Sequence, residues 1–140
     1  MISLYESIKN NSNKVKFICV GDVLAHEEVI HDAKTSTGYN FDKMFKYVKH
    51  IIKRHDLAFC NQESILGGEK IGLKGGFFKK IGEIENPVFN SPFELGTAVI
   101  NTGFNLISLA NNHVFDNGEI GIRNSLDFWR QQNRSPILSY

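Results

Sequence analysis

Three short apolar runs, each cut off by a polar cluster, constrain this chain more than any other feature. Val15-Lys16-Phe17-Ile18-Cys19-Val20 stops at Gly21-Asp22, and Leu57-Ala58-Phe59-Cys60 stops at Asn61-Gln62-Glu63. Leu106-Ile107-Ser108-Leu109-Ala110 stops at Asn111-Asn112-His113. Runs this short and this continuously apolar read as strands buried inside a sheet. Between the first two, Phe41, Met44, Phe45, Val48, Ile51 and Ile52 recur at helical spacing with lysines opposite, which predicts one helix closed by His55-Asp56. Ser91-Pro92-Phe93-Glu94 announces a second helix. Ser91 would cap it, Pro92 suits its first position, Glu94 completes a capping box, and Gly103 stops it. A third helix is predicted from about Glu119 to Gln132, with Ile122, Leu126 and Trp129 on one face, and Pro136-Ile137-Leu138 opens a fourth strand.

The resulting order is β-α-β-loop-α-β-α-β. Strands alternating with helices imply an α/β fold with a largely parallel sheet, covered on both faces and joined by right-handed crossovers. The stretch from Ile65 to Asn90 interrupts that rhythm with Gly67, Gly68, Gly72, Gly75, Gly76 and Gly82. It is expected to be an excursion beside the sheet, pinned by Phe77, Phe78 and Phe89, rather than a piece of the core.

With 140 residues the chain is one domain by length, and its formal net charge of +1 is spread without a basic stripe. That excludes the electrostatic footprint of a nucleic-acid binder. The nearest basic run, Lys46 to Arg54, alternates with apolar residues and reads as the solvated face of a helix. No segment reaches the ~20 apolar residues of a membrane span. Met1 to Lys14 reads as a polar leader, with Asn10, Asn11, Ser12 and Asn13 and no signal-type apolar core, ahead of a domain over 15–140. Cys19 and Cys60 fit no thiol or zinc spacing and read as small buried hydrophobes, with a disulfide between neighbouring strands left open.

In a parallel sheet all strand carboxyl ends share one edge, and such folds place ligands there. Asp22, Asn61-Gln62-Glu63 and Asn111-Asn112-His113 are therefore expected to converge. Oxygen donors with one imidazole suit Mn²⁺, Mg²⁺, Fe²⁺ or Zn²⁺, and a cation would relieve the repulsion of two adjacent carboxylates. Singly, each residue has a plainer reading: Asp22 as a cap or turn residue, Glu63 as a loop residue, Asn111 and Asn112 as turn formers, His113 as a surface histidine. Their convergence is the argument. His26, Glu27, Glu28 and His31 form a further polar group that also reads as the face of a turn or short helix.

These residues carry a resemblance. Phe17 to Leu24, Tyr39-Asn40-Phe41-Asp42, Asp56 to Glu63, Phe89-Asn90-Ser91-Pro92, and Gly103 to His113 with Asp116 and Gly118 are similar to the CapA-type capsule-synthesis family. That family is named for poly-gamma-glutamate capsule biosynthesis and related in fold to the metallophosphatases. The resemblance implies a metallophosphatase-like layered fold. It implies Asp22, Glu63 and Asn112 as metal ligands, His113 as the catalytic residue beside the leaving group, a divalent metal cofactor, and an envelope polymer or a phosphorylated or acyl compound as substrate. Leu24 stands where the metallophosphatase Asp-x-His motif has its histidine, and Glu63 stands for an aspartate. The family's later histidine motifs have no counterpart, so the expected fold is a truncated, amino-terminal part of that domain. Weak metal affinity, very slow or absent hydrolysis, and self-association through an open sheet edge are expected with it. The alternatives are a non-catalytic envelope or polymer-binding protein and an inactive fragment.

Overall fold

The structure, a computed structural model, describes residues 14–81, 84–132 and 137–139. The first thirteen positions of the polar leader lie outside the described residues. Strand β1 (Phe17–Asp22) leads into helix α1 (Glu27–Ala33) and a small ladder of β2 (Lys34–Thr35) with β3 (Gly38–Tyr39). Two short helices, α2 (Asp42–Phe45) and α3 (Lys49–Ile52), precede β4 (Leu57–Asn61). A 3-10 turn (Glu69–Ile71) opens the hairpin of β5 (Lys74–Ile81) and β6 (Ile84–Asn90). Then come α4 (Phe93–Thr102), β7 (Leu106–Ser108), α5 (Gly118–Arg130) and β8 (Ile137–Ser139).

The main sheet has the order β1-β4-β7-β8, and every pairing in it is parallel. Spatial order thus follows chain order. When each crossover is right-handed and each steps in the same direction, all crossing helices fall on one face of the sheet. Burial agrees. Ala58, Cys60 and Ile107 are wholly buried on the helix side, in one core with Phe41, Ile52, Leu66, Val99, Phe104 and Trp129. On the other face, Phe17 is 54% exposed, Cys19 is exposed, and Leu57, Phe59 and Leu106 are only half-buried. The expectation of a sheet covered on both faces is therefore corrected for the described residues. Periodicity cannot reveal it, because the strand order that decides it is not a local property. Cys19 and Cys60 also fall on opposite faces, since Cys19 pairs in register with Phe59, the residue before Cys60.

Two further corrections concern helices. The stripe from Phe41 to Ile52 is not one helix. Met44, Val48 and Ile51 bond back three residues, to Phe41, Phe45 and Val48, and this tighter winding breaks the run into α2 and α3. The phase shifts, so Phe41 and Ile52 are buried while Tyr47, Val48 and Ile51 stay 78%, 42% and 43% exposed. The capping box before α4 is absent as well. Pro92 occupies the cap position without a side-chain cap, because the fully buried Ser91 spends its hydroxyl on Ser64 Oγ at 2.8 Å. Gly103 does stop α4, at φ 113°.

The hairpin forms its own two-stranded sheet, apart from the main one, as the glycines suggest. Its roots are nevertheless core: Leu66, Asn90 and Phe89 are 0–2% exposed. Gly75 lies so close to α1 that a side chain there would overlap the backbone nitrogen of Glu27. The hairpin is thereby held over the carboxyl edge of the main sheet.

Candidate metal and acid–base centre

Asp22 reaches this edge through an irregularity in its strand. Cys19 pairs with Phe59 but Asp22 pairs with Asn61, so β1 carries one residue more than β4 between those registers. A shift by one residue transfers a side chain to the other face of a sheet, and bulges beside active sites re-aim side chains in this way. Without it Asp22 would point to the covered helix side. With it, Asp22 stands beside Asn61, whose Nδ2 donates to Asp22 Oδ1 at 2.8 Å.

Asp22 also contacts the side chain of Glu63, two residues beyond the end of β4. Two carboxyl groups in such contact favour sharing a proton over carrying two charges. The hydrogen bond from Asn61, and then that from Glu63, hold Asp22 below its ordinary value. Burial, the hydrogen bond to Asp22 and the charge of Asp22 push Glu63 upward, opposed by His113.

On its other side Glu63 Oε1 faces His113 Nε2 at 3.7 Å. That is too long for a hydrogen bond. His113 is 7% exposed, and its Nδ1 lies 2.8 Å from Asp116 Oδ2. Asp116 Oδ2 also accepts the backbone N–H of Phe89 at 2.7 Å. With Asp116 Oδ2 as its partner, Nδ1 is the ring nitrogen held as the donor, and Nε2 is left facing Glu63. Phe89 packs edge-on against the imidazole at 4.8 Å between centroids, and against His26 at 5.2 Å. The result is a chain of contacts Asp22–Glu63–His113–Asp116 gathered from three strand ends.

Asparagines supply the scaffold. Asn111 donates to the Gln62 carbonyl at 3.0 Å and accepts the His113 N–H at 2.9 Å, tying the histidine turn to the end of β4. Asn117 Nδ2 donates to the Phe89 carbonyl at 2.6 Å, so Asp116 and Asn117 together serve β6 as a neighbouring strand would. Asn112, the amide expected to ligate, is exposed and lines a cavity of about 390 Å³ with Asn86, Pro87, Val88, His113, Phe115 and Asp116. Its neighbour Asn111 is the one in contact with Asn61 and Gln62. His26 lies over Phe89, and His31 is exposed on the last turn of α1. Sequence reasoning passes over the positioning parts played by Asn61, Asn111, Asp116 and Asn117. The density of asparagine after each strand was the available signal.

The donor set fits a hard divalent cation. Asp22 is exposed, and Glu63 Oε1 and His113 Nε2 face each other across a 3.7 Å gap. The carboxylate on the far nitrogen of His113 is the arrangement that orients imidazoles toward metals. Among the described residues, no three His, Cys, Asp or Glu side chains close around a common point.

The shared proton has a measurable consequence. A group whose value is raised on folding stabilises the fold below its ordinary value, and that contribution is lost as pH rises through the raised one. At high pH both carboxylates are charged and repel. Glu63→Gln offers Asp22 an amide donor at every pH. The variant should melt about 1–2 °C above the parent at pH 8 without divalent cations, a small gain because solvent screens the pair. It should show no gain at pH 4. A variant that melts lower at pH 8 would show that the two carboxyl groups are not in contact.

The family model described as bacterial capsule synthesis protein PGA_cap matches residues 16–137, which takes in the polar ends of β1, β4 and β7. No curated protein matches the chain.

Proposed function

Because the chain belongs to the bacterial capsule synthesis protein family, we propose that the Asp22–Glu63–His113 centre is a metal-dependent hydrolytic site acting on a phosphoryl or acyl bond of an envelope polymer, of poly-gamma-glutamate type, or its precursor. The observation that carries this reading is the contact of Asp22 with Glu63, from separate strands, with the oriented His113 Nε2 3.7 Å beyond. A carboxylate pair serves no packing purpose at an exposed edge. It is what a cation site looks like before the cation displaces the proton.

In this reading Asp22 and Glu63 would hold the cation, with Asn61 fixing the Asp22 carboxylate, and Asn112, next to His113, would contribute an amide oxygen. A bound divalent ion would acidify a water and neutralise charge building on the substrate oxygens. His113 Nε2 takes the proton of the attacking water or gives one to the departing oxygen, while Asp116 keeps the ring turned and steadies its charge. Phe89 seals one side of the imidazole from water.

The test is a stripped protein assayed on a simple phosphomonoester and a simple acyl ester with Mn²⁺, Mg²⁺ or Zn²⁺ restored. At least about tenfold stimulation over the chelated protein is expected, in line with the effect of a bound metal on water, and Asp22→Asn should abolish it. Metal binding without turnover would favour the non-catalytic polymer-binding reading. Leu24, in place of a second imidazole, speaks for that alternative. Failure to bind any of the three ions would end both metal readings.

A further inference from the structure

Directly beside the carboxylate pair lies a cavity of about 430 Å³, lined by Gln62, Glu63, Asn111 and Ser125 at its polar end and by Ile65, Leu109, Ala110, Val114, Phe115, Ile122 and Leu126 elsewhere. That volume falls in the range of small-molecule sites, about 300–1,000 Å³. Its position is what makes it informative. Glu63 belongs both to the proton-sharing pair and to the cavity wall, and Asn111, which anchors the histidine turn, lines it too. A substrate whose reacting group sits at Glu63 therefore has an apolar chamber immediately behind that group.

Two further observations point to an occupant. Phe115 is 77% exposed and lines both this cavity and the one bordered by His113 and Asp116, so an apolar side chain stands between them with nothing over it among the described residues. Gln62 is 2% exposed, and its Nε2 donates to the Ser64 carbonyl at 2.8 Å, with Ser64 Oγ and the Val23 carbonyl also in reach. Three acceptors around the nitrogen fix the amide orientation and leave Gln62 Oε1 as a buried acceptor with no partner. Gln62 is held rigidly in a wall that is apolar apart from Gln62, Glu63, Asn111 and Ser125, and such a lining suits a hydrocarbon chain with a polar group at its root.

We infer that this cavity is the subsite for an aliphatic chain on the substrate, so that the compound taken is amphipathic: a phosphoryl or acyl head at Asp22–Glu63 and an alkyl group lodged between the histidine turn and α5. The inference rests on the hydrolytic reading only for the placement of the head. The chain subsite itself stands on the cavity.

The experiment titrates the full chain, with and without Mn²⁺, using methylphosphonate and octylphosphonate, neither of which can be hydrolysed. Each buried methylene multiplies affinity about fourfold, so three give octylphosphonate a preference of at least about 50-fold. Ile122→Trp, filling the cavity from α5, should erase the preference and leave methylphosphonate binding unchanged. Ala110→Phe, filling it from the loop, should do the same and guards against one variant failing to fold. Equal binding of the two phosphonates, or a preference that survives both fillings, would overturn the inference. So would a dimer in sedimentation that both fillings dissociate, because a second copy would then be the occupant. A chain-length preference without turnover of octyl phosphate in any metal removes the hydrolytic reading and leaves the subsite. Metal-dependent turnover indifferent to chain length does the reverse.

Discussion

Asn90→Ala should lower the free energy of unfolding by about 3–5 kcal/mol, the largest stability effect expected of any single polar substitution in this fold. Asn90 is fully buried, and its carboxamide is saturated by backbone: Oδ1 accepts the Gly67 N–H at 2.8 Å, and Nδ2 donates to the Gly68 carbonyl at 3.0 Å and the Gly72 carbonyl at 2.8 Å. Gly68 and Gly72 sit at φ 82° and 84°, where any side chain is strained, so this loop has no regular ladder of its own to fall back on. Alanine would leave the buried Gly67 N–H and Gly68 carbonyl unpaired, each costing about 1–3 kcal/mol, and would release the Gly72 carbonyl of an exposed residue to water. The melting temperature should fall by about 10 °C for a chain of this size. Asn90→Asp should be at least as damaging, since it keeps one acceptor but loses both donated bonds and buries a charge. Circular dichroism melts of the two variants decide the matter. A loss under about 2 °C for the alanine variant would mean that water replaces the amide and the loop is held by something else.

Asp116 carries the second large effect, and here stability and chemistry separate. Its Oδ2 takes both the Phe89 N–H and the His113 Nδ1 hydrogen. Asp116→Ala should weaken metal binding or turnover about 10–100-fold, as loss of a carboxylate behind a site histidine does. It should also destabilise by about 2 kcal/mol, because a buried N–H of β6 is orphaned. Asp116→Asn keeps an oxygen for Phe89 and should recover most of the stability. Without the charge that fixes the Nδ1 tautomer, it should not recover the activity. Calorimetric Mn²⁺ titration alongside thermal melts reads both effects. Equal recovery of both by the asparagine variant would reduce Asp116 to a scaffold.

The four strands of the main sheet and their order were legible because parallel strands are nearly unbroken apolar runs, and the convergence of Asp22, Glu63 and His113 was legible because each follows such a run. The β2–β3 ladder and the β5–β6 hairpin, polar and glycine-rich, were not. What stayed hidden depends on geometry at a distance. The extra residue at Val20–Gly21 that turns Asp22 to the open face leaves no mark in a pattern of alternation. The division of labour between Asn111 and Asn112 is set by the turn, and both residues read alike. Ser91 has every property of a helix cap, yet Ser64, twenty-seven positions away, claims its hydroxyl. The break between α2 and α3 arises from three-residue back-bonding, which keeps the apolar positions but rotates them away from the core. No helix among the described residues is long and apolar enough to cross a membrane.

The two thiols, on opposite faces of neighbouring strands, decide how the protein meets an oxidant. Side chains that leave a sheet in opposite directions cannot reach disulfide geometry without moving the backbone, so no internal bridge can store an oxidising equivalent. Burial pushes the Cys60 thiol up to about 12, and a thiol without thiolate is inert as a nucleophile. Oxidation is confined to the exposed Cys19. There it yields a sulfenic acid, a mixed disulfide with a small thiol, or a bridge to another molecule, each reversible by reductant. The core keeps its cysteine reduced whatever happens at the surface.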